Sequence, residues 1–232
     1  MNHKDLFGRA LYDYQFNHKP EDLETWTHLT DREILPIAYL FRKYEEMPEI
    51  EKIALDLCHG KILDVGAGSG IHSKYLQGIN KDVTALDFSE WGHKVLQAQG
   101  LKKIIQSDFF ELHHQKYDTI LLLMNGVGIV EKAIYTDRLF KKLDELLIEN
   151  GIAFIHSSDL KYLFESGGGY AMPSDGYYGD VQFFISYKGE TEKFDWTYID
   201  AQTLQTFAFQ NGFNSEIIYE SEYGDFLMEI KR

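Results

Sequence analysis

The chain has 232 residues, 44% of them hydrophobic, which suffices for one sizeable core and limits the protein to one elaborated domain or two small ones. Its 37 acidic residues outnumber 23 basic ones, and the resulting net charge of −14 repels a phosphate backbone, which disfavours DNA and RNA as partners. Cys58 is the single cysteine, so an intramolecular disulfide and a cysteine-ligated metal site are excluded; with no apolar leader after Met1 and no apolar run of about 20 residues, a reducing, cytoplasmic setting away from membranes is expected.

Residues 1–58 precede the first expected sheet strand. Tyr12, Tyr14, Phe16 and Trp26 make the start aromatic-rich, suited either to closing over a ligand or to packing on a sheet edge. From Glu33 to Cys58 the apolar spacing is helical, broken at Pro36 and Pro48, which predicts helices packed on the core. The domain boundaries expected are therefore an N-terminal helical arm over 1–58 and a ligand-binding domain over 59–232.

That domain begins with an apolar strand ending in Asp64, followed by a glycine-rich turn over Gly66, Ala67, Gly68, Ser69 and Gly70, and then residues from Ile71 that can start a helix. Glycine admits positive φ and lets the backbone lie against a ligand. Strand, glycine turn and helix form the first unit of a doubly wound sheet, whose ligands sit at the carboxyl ends of the strands. A dinucleotide would bring its pyrophosphate to the helix N-terminus. A carboxylate at position 64 opposes that but attracts the sulfonium and α-amino group of S-adenosylmethionine. The spacing G-x-G-x-G agrees, because Ile71 stands where the dinucleotide fingerprint requires its third glycine.

Val83 to Asp87 reads as the second strand, and Asp87 follows the turn by about 20 residues, where an acid accepts hydrogen bonds from ribose hydroxyls. A third acid, Asp108, follows Lys103 to Ser107 and is placed to accept from an adenine amino group, with Phe88 or Phe109 to flank its ring. Tyr117 to Met124 leads to Asn125 and Gly126, where the Asn125 amide either orients a ligand or simply tolerates a left-handed turn. A helix is expected from Glu131 to Ile148, with Ile134, Leu139, Phe140, Leu143, Leu146 and Leu147 on one face. Ile152 to His156 is the next strand.

Taken in order, the segments Ile62 to Gly70, Leu86 to Ser89, Gln106 to Phe109, Tyr117 to Gly126 and Leu147 to Ile155 resemble the motifs of the class I S-adenosylmethionine-dependent methyltransferases. The resemblance covers residues 60–158. It implies an α/β fold with a doubly wound, mostly parallel seven-stranded sheet and an antiparallel last strand, and S-adenosyl-L-methionine as cofactor. It implies that Asp64 and Gly66, Ala67, Gly68 and Gly70 face the methionine portion, Asp87 the ribose and Asp108 the adenine, with Phe88, Phe109, Met124 and Asn125 at the same site. The segment Met124-Asn125-Gly126-Val127 lacks the Asn/Asp-Pro-Pro-aromatic pattern of enzymes that methylate exocyclic amino groups of bases, and Lys102-Lys103 and Lys141-Lys142 read as solvated faces. A small-molecule methyl acceptor is expected, with no nucleic acid or membrane partner.

Beyond His156, a Gly- and Tyr-rich loop over 159–180 is too long for a plain connection. Val181 to Lys188 and Lys193 to Ile199 then predict a hairpin around Gly189, which makes 159–200 an insertion. Ala201 to Gln210 predicts a helix ending at Gly212, and Asp225 to Lys231 the last strand. The arm before residue 30 and the loop are expected to wall the acceptor pocket, the alternative for the hairpin being an oligomer contact.

A positioned sulfonium needs only in-line alignment with its nucleophile, and a base only if the acceptor arrives protonated. His72, His156 and Asp159 are the candidates, each more often a packing or capping residue than a base, and the catalytic residue stays open. Adjacent His113 and His114 diverge and indicate no metal. The other readings are a non-catalytic S-adenosylmethionine-binding protein or sensor, and an NAD-dependent oxidoreductase, which Asp64 and the missing third glycine disfavour.

Overall fold

The computed structural model describes residues 4–166 and 169–232, so Gly167 and Gly168 of the glycine-rich loop lie outside the described residues. In chain order it runs through α1 (Leu6–Gln15), β1 (Leu23–Thr27), β2 (Glu33–Leu35), α2 (Glu49–Leu57), β3 (Lys61–Val65), α3 (Ile71–Gly78), β4 (Asp82–Asp87), α4 (Glu90–Ala98) and β5 (Ile104–Gln106). It continues with β6 (Tyr117–Leu122), α5 (Thr136–Leu146), β7 (Leu147–Ser158), β8 (Glu165–Ser166), β9 (Gly169–Tyr170), β10 (Asp180–Tyr187), β11 (Glu190–Thr197), α6 (Ala201–Gln210), β12 (Asn214–Glu220) and β13 (Asp225–Lys231).

The main sheet has seven strands in the order β12-β13-β7-β6-β3-β4-β5. Strands β3 to β7 run parallel, and β13 is antiparallel to both β7 and β12. A parallel sheet is covered on both faces, so its strands read as nearly continuous apolar runs. Alternation then sorts them: Leu63, Ile120, Leu122, Ala153 and Ile155 face a layer with Leu139, Phe140 and Leu143 of α5 and Leu204 of α6. Ile62, Leu121, Phe154 and Leu227 face the opposite layer, with Ala54 and Leu55 of α2 and Leu76 of α3. From β3 the chain builds outward to β5 and then returns to β6 on the other side. The order reverses beside β3, which is where open α/β sheets bind ligands.

A second, antiparallel sheet has the order β11-β10-β1-β2. The expected hairpin supplies β10 and β11, joined through Lys188 and Gly189, both with positive φ (49° and 77°), as a two-residue hairpin turn that matches strand twist requires. Strands β1 and β2 come from the N-terminal arm, where only helices were expected. Pro36 stops any helix from reaching back, so Glu33–Leu35 pairs with β1 instead, two short 3-10 turns follow at Ile37–Phe41 and Tyr44–Glu46, and a true helix starts only after Pro48.

Two further differences have local causes. Glu131 has φ of +70° and breaks the helix expected from that residue, so α5 starts at Thr136, and Leu147 and Ile148 already belong to β7. Strand β12, with few buried residues on an outer edge, carries too weak an alternation to be read from sequence.

Helix α1 joins the two sheets. Its Leu6, Ala10 and Leu11 are buried with Leu23 of β1, Ile185 and Tyr187 of β10 and Val95 of α4. Asp5 caps it by accepting from the Gly8 amide at 3.1 Å and also accepts from the Ser89 hydroxyl at 2.7 Å, which ties the start of α1 to the start of α4.

Candidate functional site

The sheet order places the ends of β5, β4, β3, β6 and β7 side by side, and these ends carry Asp108, Asp87, Asp64, Met124 with Asn125, and Ser158. The glycine turn lies over the end of β3. Its three glycines all have positive φ, 69° at Gly66, 56° at Gly68 and 81° at Gly70, and the Gly66 and Ala67 amides donate to Leu86 O at 2.9 and 3.0 Å. The turn is thereby fixed to β4. A Cβ at Gly66 would meet nothing within 4 Å, so that face of the turn is open to a ligand. A Cβ at Gly68 would come within 3.8 Å of Leu11 and 3.9 Å of Phe7, which means α1 covers the turn from outside.

Asp64 is buried, and Ser73 of α3 donates to its Oδ2 at 2.7 Å. Asp87 is also buried; its Oδ2 accepts from the Gly68 amide at 2.7 Å and its Oδ1 from the Ser89 amide at 2.9 Å. Burial raises the carboxyl pKa of both above the usual range. Two desolvated acids at the strand ends suit a ligand carrying positive charge and several hydroxyls. Asp108 is exposed, and its Oδ1 accepts from the Phe110 amide at 2.7 Å at the head of a 3-10 turn. Of the two candidate ring neighbours, Phe109 is buried in the core, whereas Phe88 is 57% exposed at the strand edge. Met124 and Asn125 both adopt positive φ (53° and 58°), the left-handed geometry considered for Asn125.

The three candidate bases lie in different settings. His72 is buried on α3, with Nε2 2.9 Å from Glu51 Oε2, and Arg42 closes on the other oxygen of the same carboxylate. Burial alone would raise the Glu51 carboxyl, but the hydrogen bonds and charges of His72 and Arg42 outweigh it and hold it below the usual range. Arg42 also stacks on Tyr39 at 4.0 Å, reaches Met124 Sδ at 3.7 Å and leaves its buried Nε without a partner. Sequence reasoning missed it, because no local motif joins residue 42 to the end of β6. Asp159 accepts from the Lys161 amide at 2.8 Å and the Tyr178 hydroxyl at 2.7 Å. His156 is buried on β7, has no hydrogen bond at either ring nitrogen, and faces Asp225 Oδ1 across 3.8 Å.

Next to these strand ends is a pocket of about 390 Å³ between the two sheets. Thr25, Thr27, Glu33 and Phe183 line it from the antiparallel sheet, and Ser158, Leu160, Tyr162, Tyr198 and Asp225 from the other side. Burial pushes the Tyr198 hydroxyl up to about 12. Ser158 Oγ lies 2.8 Å from Asn125 Oδ1 and 2.6 Å from Asp225 Oδ1. One hydroxyl proton cannot serve both, so the carboxylate takes it, and the Asn125 amide, turned over, donates to the same oxygen. A chain of hydrogen bonds thus runs from the pocket wall to the end of β6. A wider hollow of about 520 Å³ beside Lys116, Leu147 and Arg232 lies at the opposite end of the strands. No helix among the described residues is long and apolar enough to cross a membrane.

Residues 63–155 match a family described as methyltransferase domain. No curated protein matches the chain. Among solved structures, an S-adenosylmethionine-dependent methyltransferase from Bacteroides fragilis, in complex with S-adenosyl-L-homocysteine, is 39% identical over 98% of this chain and 94% of its own, with a TM-score of 0.90. A methyltransferase from Clostridium acetobutylicum is 17% identical over 78% and 88% of the two chains (TM-score 0.59). A sugar N-methyltransferase from a Streptoalloteichus species is 14% identical over 88% and 95% (TM-score 0.59). The last two likenesses carry the fold alone.

Proposed function

The chain belongs to the S-adenosylmethionine-dependent methyltransferases, and we propose that it methylates a small-molecule acceptor held between its two sheets. The observation that carries this reading is the pocket of about 390 Å³, whose wall residue Ser158 is hydrogen-bonded to Asn125 at the strand ends. A volume of that order suits a compact organic molecule, and the net charge of −14 tells against a polyanion. That a structural neighbour is a sugar N-methyltransferase is compatible with the reading.

In this reading Asp64 and the glycine turn hold the methionine portion, Asp87 the ribose hydroxyls and Asp108 the adenine amino group, with Phe88 at the ring. The open face of Gly66 and the two buried acids fit such a ligand. When bound, it supplies an electrophilic methyl group, and the protein's task is to align the acceptor and exclude water. The arm over 1–58 and the insertion over 159–200 build the acceptor side, and Asn125 couples the two halves of the site through Ser158.

The test is release of S-adenosylhomocysteine from S-adenosylmethionine with a panel of metabolite-sized acceptors. Once one is found, Tyr198→Ala should lower its kcat/KM about tenfold or more, roughly 1.4 kcal/mol, while S-adenosylhomocysteine affinity by calorimetry stays within about twofold. Unchanged turnover in that variant would place the acceptor elsewhere.

A further inference from the structure

The lining of the pocket says more about its occupant, on the premise that this is where the acceptor sits. It carries the carboxylates of Asp31, Glu33 and Asp225 and no Lys, Arg or His. Neither Asp31 nor Glu33 is in an ion pair among the described residues, and the guanidinium of Arg32 between them stacks on Trp26 and reaches Glu24 instead. The aromatic rings of Phe183, Tyr162 and Tyr198 stand among these acids. Behind Asp225, on the same face of β7 as Ser158, the buried His156 turns Nε2 to that carboxylate at 3.8 Å, and its proximity together with the Ser158 hydroxyl holds the Asp225 carboxyl below the usual range.

We propose that the acceptor is an organic amine that arrives as an ammonium ion, its charge held by Asp225 and Glu33 and its body lying against Phe183, Tyr162 and Tyr198. Aromatic faces attract cations, and a carboxylate such as Glu33, in no ion pair among the described residues, is complementary to a cation brought by the ligand. A carboxylate acceptor would meet three like charges, and a hydroxyl would leave them uncompensated.

The direction of charge flow during transfer supports the same assignment. The ammonium first loses one proton to solvent, which reaches the partly exposed Asp225 side chain. The freed nitrogen lone pair forms the N–C bond to the methyl group as the C–S bond breaks, and sulfur keeps that bond's electron pair as a neutral thioether. Positive charge therefore leaves sulfur and ends on the acceptor nitrogen, beside the pocket's acids. Groups aimed at charge that grows during the reaction stabilise the transition state more than the ground state.

The test is calorimetric titration of protein already saturated with S-adenosylhomocysteine, using phenethylamine, 2-phenylethanol and 3-phenylpropionate, which share a body and differ in charge. Phenethylamine should bind about tenfold or more tightly than the alcohol, and the propionate weaker still. Glu33→Gln and Asp225→Asn, both close in shape to the native residue and checked for fold by circular dichroism, should each weaken the amine several-fold and leave the alcohol and S-adenosylhomocysteine unchanged. Equal affinity for amine and alcohol, no detectable amine binding, or amine binding indifferent to both substitutions would overturn the proposal. Failure of S-adenosylhomocysteine to saturate the protein would instead strike at the methyltransferase reading beneath it.

Discussion

At the scale of single residues, Asp64 and Glu51 are buried carboxylates with opposite consequences for stability. Burial dominates at Asp64, outweighing the hydrogen bonding from Ser73, so its carboxyl is raised; Asp87 is raised by burial as well. A raised carboxyl gives stability that is fully present below its unfolded value, about 3.9, and lost as pH rises through the folded value. Glu51 lies between Arg42 and His72 and is lowered, so its stability is present above its unfolded value, about 4.3, and lost as pH falls through the folded one. The cofactor-free protein should therefore become more resistant to urea as pH falls through the raised carboxyl values of Asp64 and Asp87, and less so once it falls below the unfolded glutamate value, about 4.3. Asp64→Asn isolates the first effect. The new amide oxygen still accepts from Ser73, and the buried charge is gone, so the variant should match or exceed the parent in urea midpoint at pH 7 and show a smaller rise on acidification, the share of Asp87 remaining. If the charge serves the ligand, the same variant should bind S-adenosylmethionine about tenfold more weakly. A variant that is destabilised at pH 7 and binds normally would assign Asp64 to the fold alone.

At the scale of elements, the glycine turn separates what the fold needs from what the ligand needs. A Cβ at Gly66 meets nothing, so Gly66→Ala should cost only the strain of positive φ, about 1–2 kcal/mol, while the methyl projects over the open ligand face and cuts cofactor affinity strongly. A Cβ at Gly70 would lie 2.7 Å from Leu96 and 3.0 Å from Leu101. Gly70→Ala should therefore add an overpacking cost of about 1–3 kcal/mol to the same strain, and its denaturant midpoint should fall well below that of Gly66→Ala. The reverse order would mean that the turn rearranges. Why this turn could be read from sequence follows from the same geometry. The strand, the turn and Asp87 form one contiguous βαβ unit, and strands buried on both faces announce themselves as apolar runs. By contrast, Glu33–Leu35 is largely exposed and becomes a strand only because β1 lies beside it, with β1 in turn paired to β10 from the far end of the chain. Short edge strands take their conformation from partners rather than from their own residues. The pocket between the sheets was hidden for that reason: Thr25, Glu33, Ser158, Tyr198 and Asp225 belong to different elements and share no local pattern. The aromatic arm and the hairpin were visible as excess residues in need of a role, but not the sheet that they build together.

At the scale of the whole molecule, α1 connects that second sheet to the glycine turn. One face of the helix is buried against Leu23, Ile185 and Tyr187, and Phe7 and Leu11 reach the turn at Gly68. Whatever orders the turn must therefore be felt in α1 and, through it, in the wall of the pocket between the sheets, the proposed acceptor site. Such coupling requires the ligand to favour one arrangement of α1 over the others, which is a difference that can be measured. Saturating S-adenosylhomocysteine, at about 100 times its Kd, should stabilise the protein by about 2.7 kcal/mol. In hydrogen exchange, the added protection should extend beyond residues 66–71 to the amides of α1 and to β1 and β10. Leu11→Ala tests the path. Leu11 is 1% exposed, so the substitution should cost about 2–5 kcal/mol in the cofactor-free protein, and in the variant the protection caused by S-adenosylhomocysteine should stay at the glycine turn without reaching β1 and β10. Protection that still spreads to the antiparallel sheet in the variant would show that the two sheets communicate by another route, with the string from Asn125 through Ser158 to Asp225 as the next one to cut.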